Sequence, residues 1–249
     1  MQSTERTNSK ERPILFNAEM VRAILYGRKT QTRRAVKFPF HDKDMECELA
    51  GNELAGELKA GRFRNSPLGQ PGDRLWVRET WGVVSHAFND DGFRIPWTPQ
   101  RPATPVHELP FGNGYYSGHV IYRADGGFIW SGDDDGDGER TAWHPSLHMP
   151  RKASRIDLLI TGVRVERLQD ISEEDAKAEG VTRIENNCGN GPAYCDYLLP
   201  DLNDTAEWYS HAKHSFQSLW RSIYGSESWH SNPWVWVVEF ERLAKDGGQ

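Results

Sequence analysis

Two hydrophobic periods alternate along this chain and divide it into elements. NAEMVRAILY places Val21, Ile24 and Leu25 at helical spacing, with Asn17 as a helix cap and Gly27 where a left-handed residue would end the helix. PILF, just before it, reads as extended chain. RLWVRETW changes the period to two, with Leu75, Val77, Glu79 and Trp81 on one face and Trp76, Arg78 and Thr80 on the other. A glutamate therefore shares the apolar face of a strand.

Further on, SRIDLLITGVRVERL is strongly strand-like, and Thr161-Gly162 predicts a bulge or bend within it. ISEEDAKAEGV predicts a helix capped by Ser172 and stopped at Gly180. A longer helix around DTAEWYSHAKHSFQSLWRSIY spaces Phe216, Leu219, Trp220 and Ile223 by threes and fours, and Gly225 ends it. PWVWVVEFERL reads as a buried strand, and its tryptophans as core rather than a base-stacking surface. The pattern is weak over residues 38–70 and 83–140, where Gly, Pro and Asp abound and only GYYSGHVIYRA looks like strand. The expectation is an α+β fold built on a small mixed or barrel-like sheet, with a polar tail at 1–12 and one domain over 13–249 carrying those two stretches as insertions.

Composition narrows the function class. No apolar run is long enough to span a bilayer and MQSTERTNSKERP lacks a secretory core, which predicts a cytoplasmic protein with no membrane partner. Cys47, Cys188 and Cys195 form neither a CxxC pair nor an even set, against a disulfide framework. A net charge of -6 argues against nucleic-acid binding on average, yet Arg28, Lys29, Arg33, Arg34 and Lys37 cluster, as do Arg151, Lys152, Arg155, Arg164 and Arg167. A basic face on an acidic chain fits that distribution.

Several motifs fail on inspection. Asp133, Asp135, Asp137 and Gly138 match the start of a calcium loop, but its twelfth position is His144 where a bidentate glutamate belongs. His144 and His148 are separated by Pro145, and His211 and His214 lack accompanying ligands, so no metal or other cofactor is expected. Phosphate-loop, dinucleotide and GxSxG signatures are missing from the sequence.

GRKTQTRR, residues 27–34, follows the first helix and could be a phosphate grip, a catalytic site or an exposed turn. With RPILFNAEMVRAILYGRKTQTRR, GDRLWVRETW, HPSLHMPRKASRI, LQDISEEDAKAEGV and NPWVWVVEFE in this order, the chain resembles the ASCH family of the PUA-like superfamily, in its long phage and prophage form. That resemblance implies a small β-barrel with rim helices and a cleft for a modified nucleoside or nucleic acid, RNA or DNA. GRKTxT is also similar to the motif of small bacterial ASCH enzymes that hydrolyse the amide of N4-acetylcytidine. On that likeness the catalytic roles fall on Lys29, Thr32 and Glu179.

The chemistry asks for a nucleophile, a base and a donor to the leaving amine. Thr32, or a water it positions, would attack the acyl carbon while Lys29 takes a proton, and Glu179 would protonate the leaving nitrogen or orient Lys29. A lysine serves as base near neutrality only if its pKa falls from about 10.4 towards roughly 7–8; otherwise it is a fixed cation for the oxyanion. Strand alternation sets positions 29 and 32 on opposite faces, so convergence predicts irregular backbone at 28–31. Arg28, Arg33, Arg34, Arg151 and Arg155 are candidates for phosphate or base contacts, and for the last four the alternative is surface ion pairing with the acidic loop. Glu79 is expected to face the cleft or to pair with an arginine, and His148 to contact a base or sit in a turn. The alternative function is a non-catalytic RNA- or DNA-binding module.

Overall fold

The computed structural model describes residues 9–85, 89–93, 95, 99–128, 142–184, 191–199 and 208–244. The acidic 133–139 stretch and Cys188 lie outside them. In chain order the elements begin with β1 (Glu11–Leu15), α1 (Ala18–Leu25), β2 (Gln31–Ala35), β3 (Phe40–His41), β4 (Glu48–Leu49) and α2 (Gly51–Lys59). There follow β5 (Arg74–Arg78), β6 (Trp81–Val84), β7 (Thr104–Phe111), β8 (Gly114–Tyr122), β9 (Asp157–Arg167) and α3 (Glu173–Ala178). The last are β10 (Arg183–Ile184), β11 (Ala193–Tyr194), α4 (Ala212–Tyr224), α5 (Ser226–His230) and β12 (Trp234–Arg242). The class is α+β, and no closed barrel occurs among the described residues. No helix among them is long and apolar enough to cross a membrane.

These elements divide into two compact units: residues 1–12, 23–74 and 158–243 form the first, and 13–22, 75–157 and 244–249 the second. In the first, β12 lies between β9 and β2 and pairs antiparallel with both. Gly162 pairs with Glu239 and Ile160 with Phe240, which leaves Thr161 as the extra residue of a bulge where the sequence predicts one. One side of this unit packs α3 and α4 through Leu168, Ile171, Ala176, Phe216 and Trp220 around Val235 and Val237. A separate cluster gathers Val36, Leu54, Leu58, Val165 and Trp236.

Leu54 and Leu58 belong to α2, a helix in a stretch expected to be irregular. Its glycines hide the helical signal, and Gly51 is there because a Cβ would fall 2.3 Å from the Trp234 ring. Glu53 supplies the missing cap by accepting from the Ala50 amide at 2.8 Å. Glu11 and Arg12, expected in a loose tail, already belong to β1.

In the second unit β1 neighbours β5, while β6, β8 and β7 form a separate antiparallel sheet. The β7–β8 hairpin brings order to part of the expected insertion, and Trp81, Leu109, Val120, Tyr122 and Met149 make its core. Period two was hard to see in β7 because Pro105 and Pro110 interrupt it and the register shifts between Val106 and Leu109.

Candidate functional site

The first unit folds GRKTQTRR around a turn. Gly27 has φ 72°, and its amide closes on the Ile24 carbonyl at 3.0 Å, ending α1 with the left-handed residue the sequence predicts. Lys29 then makes a single antiparallel bridge with Glu179. The Thr30 amide donates to Ala178 O, and Thr30 O accepts from the Phe240 amide, both at 2.8 Å. From Gln31 the chain is regular strand, so the irregular backbone is confined to residues 27–30.

Lys29 and Glu179 are brought together and are both buried. Lys29 Nζ donates to Glu179 Oε2 at 2.8 Å and to the Glu179 carbonyl at 2.9 Å, with side-chain exposures of 0% and 4%. Glu179 reaches this position as the C-cap of α3, a helix whose start is fixed by Ser172 Oγ accepting from the Asp175 amide. Gly180 follows with φ 87°, and a Cβ there would lie 2.7 Å from Lys29 Cβ. Glycine is what lets the helix end approach the lysine.

Arg33 completes the group. Its Nη1 donates to Glu179 Oε1 at 3.1 Å, and its Nη2 donates to Glu166 at 2.6 Å and Asp175 at 3.2 Å. Arg164 holds the same two acids from the outside, at 2.8 Å to Glu166 and 3.0 Å to Asp175, and also pairs with Glu239. Gln31 Nε2 donates to Asp175 O at 3.1 Å. The chain of contacts thus runs from Lys29 through Glu179 and Arg33 to the partly exposed Arg164.

Electrostatics follow from this layout. Burial pushes the Lys29 pKa below the ordinary lysine value; its bond to Glu179 opposes the shift, and the charges of Arg34 and Arg33 add to it. Burial works to raise Asp175, yet Arg33 and Arg164 overcome it and hold its carboxyl below the usual range.

Thr32 is placed by its position within the strand. Within β2 it pairs with Val238 and is out of phase with Gln31 and Arg33, whose side chains reach α3. Alternation sends its side chain to the other face of the strand, although it is as buried as Lys29 at 2%. Arg33 differs from expectation as well: its side chain is fully buried and committed to carboxylates, so it does not offer phosphate a contact. Arg28 donates to Gly180 O at 3.0 Å and Thr182 Oγ1 at 3.2 Å, and half-buried Arg34 donates to the Tyr224 hydroxyl at 3.5 Å.

The remaining candidates belong to the second unit. Glu79 takes the arginine-pairing alternative: Arg155 Nε and Nη2 grip its two oxygens at 2.8 and 2.9 Å, while Arg155 Nη1 reaches Asp125 at 2.7 Å. The guanidinium lies 3.9 Å from the centroid of the Tyr122 ring, whose hydroxyl donates to Ala153 O at 3.0 Å. Burial raises the Glu79 pKa against the pull of Arg155. Burial works against the Arg155 charge in turn, but Glu79 and Asp125 prevail and raise its pKa. Arg151, on a short 3-10 turn, pairs with Asp157 at 2.7 Å, and His148, on another, is exposed.

Sequence reading missed Glu166, Asp175, Arg164 and Glu239 as partners. Part of the signal was present, since Asp175 and Glu179 are four apart and so share a helix face, and Arg164 and Glu166 share a strand face. Among the described residues, no group of three or more His, Cys, Asp or Glu side chains could hold a metal ion. No family model matches the chain, and neither the curated proteins nor the solved structures gave a match.

Proposed function

We propose that the first unit is a hydrolase acting on the amide of an N4-acylated cytidine or a similar modified nucleobase, with Lys29 as its base. The observation that carries this reading is a fully buried lysine, lowered in pKa, at 2.8 Å from the carboxylate of Glu179. A lysine in that state can be neutral at a pH where an exposed one is charged, which is the condition for proton transfer. The ASCH resemblance supplies the substrate class, and a PUA-like cleft in a cytoplasmic protein belongs to the same reading.

In the reaction, neutral Lys29 takes a proton from water, whose oxygen forms a bond to the acyl carbon. The carbon–nitrogen bond then breaks, and Lys29 returns the proton to the departing amine, leaving a carboxylic acid and the free exocyclic amino group. Water is the nucleophile in this reading, with Thr32 on the face of β2 opposite Arg33, the residue that holds Glu179. Both oxygens of Glu179 are occupied by cations, so its role is to orient Lys29 rather than to donate a proton. The rival reading, a non-catalytic RNA- or DNA-binding module, needs cations available to phosphate, and Arg33 and Arg155 are both spent on carboxylates.

Incubation with a panel of N4-acylated cytidines, followed by mass spectrometry of the products, tests the proposal. Deacylated product from the intact protein, reduced about 10²–10⁴-fold in Lys29→Ala, is the expected outcome. Equal turnover by both proteins, or none by either across the panel, removes the enzyme reading.

A further inference from the structure

We propose that Arg33 is a positioning residue of the Lys29–Glu179 centre, setting the direction of the carboxylate and, through it, of the lysine that it holds. The inference rests on the hydrolase reading for its effect on turnover, but its effect on Lys29 itself can be read without any substrate.

Geometry is the first support. A carboxylate held at one oxygen can still pivot, whereas Glu179 is held at both: Lys29 Nζ on Oε2 at 2.8 Å and Arg33 Nη1 on Oε1 at 3.1 Å. Arg33 is immobilised in its turn, since Nη2 is shared between Glu166 at 2.6 Å and Asp175 at 3.2 Å and the side chain is fully buried. Glu166 comes from β9, Asp175 and Glu179 from α3 and its cap, and Arg33 from β2. A planar fork on one strand can connect acids from two other elements, while an ammonium offers one point of charge. The second support is what Arg33 leaves unmade: its Nε is buried without a hydrogen-bond partner. An arginine chosen only to neutralise acids would gain by turning that donor to one of them, so its orientation is set by the contacts of the two Nη atoms.

The charged groups around the centre have distinct roles. Glu179 stabilises the Lys29 cation, Arg33 and Arg34 oppose it, and Arg164 pairs with Glu166, Asp175 and Glu239 and so anchors the acids that anchor Arg33. Removing the Arg33 charge takes away a repulsion on Lys29, so the lysine should hold its proton more tightly. Replacing Arg33 by lysine keeps that charge but loses the fork.

Two variants separate these effects: Arg33→Gln and Arg33→Lys, with lysine side-chain carbons labelled for an NMR pH titration. In Arg33→Gln the Lys29 resonance should titrate at higher pH than in the unaltered protein, and the pH at which turnover reaches half its maximum should move the same way. In Arg33→Lys both midpoints should stay near their original values while kcat falls about tenfold or more, with KM little changed. A Lys29 titration that is the same in all three proteins overturns the proposal, even if both variants melt at lower temperature. So does an Arg33→Lys protein with unaltered kcat. If the titration moves as expected but no protein turns over acylated nucleosides, the positioning of Lys29 stands and the hydrolase reading is the part that fails.

Discussion

Lys29 and Arg155 sit in similar surroundings, the first with a side-chain exposure of 0% and the second of 11%, and each is held by a carboxylate that is itself almost inaccessible, at 4% exposure for Glu179 and 1% for Glu79. Their protons behave in opposite ways. Burial and neighbouring arginines lower the pKa of Lys29, whereas the two acids around Arg155 raise a value that is already beyond reach. On the hydrolase reading, the first network exchanges a proton and the second only holds a charge. Counting buried ion pairs would have ranked the two equally; the identity of the cation, and whether like charges flank it, is what separates chemistry from structure.

Replacing each cation by an apolar residue of similar length should widen this contrast. Arg155→Met strands both Glu79 and Asp125, and should cost about 3–5 kcal/mol in urea denaturation. Lys29→Met leaves Glu179 in the grip of Arg33, so the loss should be smaller, about 1–3 kcal/mol. Equal losses would mean that Arg33 does not support Glu179 when Lys29 is gone. Gly180→Ala tests the close approach that seats the lysine: its φ of 87° and the 2.7 Å clash with Lys29 Cβ should cost about 1–2 kcal/mol by the same assay. Ser172→Ala removes the cap of α3 and should cost about 1 kcal/mol, measured by thermal melting.

Acid sharpens the comparison further. Folded Asp175 binds its proton less tightly than the unfolded chain does, so its stabilising contribution is complete above about pH 4 and lost as pH falls. Folded Glu79 binds its proton more tightly, so its contribution is greatest below about pH 4.3 and declines as pH rises towards its raised value. The stability lost in Asp175→Asn should therefore grow between pH 3 and 7, and that lost in Glu79→Gln should shrink. Parallel trends in the two variants would contradict the opposed shifts.

How much of this could be read from sequence depends on the range over which each feature is encoded. Gly27, Ser172, Gly225 and the bulge at Thr161 act within a few residues, and the chain uses each as its local chemistry predicts. Helix α2 was concealed because Gly51 answers to Trp234, more than 180 residues away, rather than to helix propensity. The site divides along the same line. Burial and pairing of Glu79 follow from its place among apolar positions, but Arg155 as partner is a product of the fold. Arg33 looked like a surface cation because it stands beside Arg34, and only the approach of β9 and α3 turns it inward. Thr32 shows the converse, since strand alternation alone sets it on the face opposite Gln31 and Arg33.

The most direct test of the account makes Lys29 resemble Arg155. Lys29→Arg preserves the positive charge and the ability to bind Glu179 but removes a proton that can leave at accessible pH. The measurement is the rate of N4-acetylcytidine hydrolysis from about pH 5 to 10, the span over which a lowered lysine would lose its proton. The account predicts a rate that rises with pH in the unaltered protein and is lost at every pH in Lys29→Arg, with the fold retained. A Lys29→Arg protein that keeps the original rate and pH profile would contradict it.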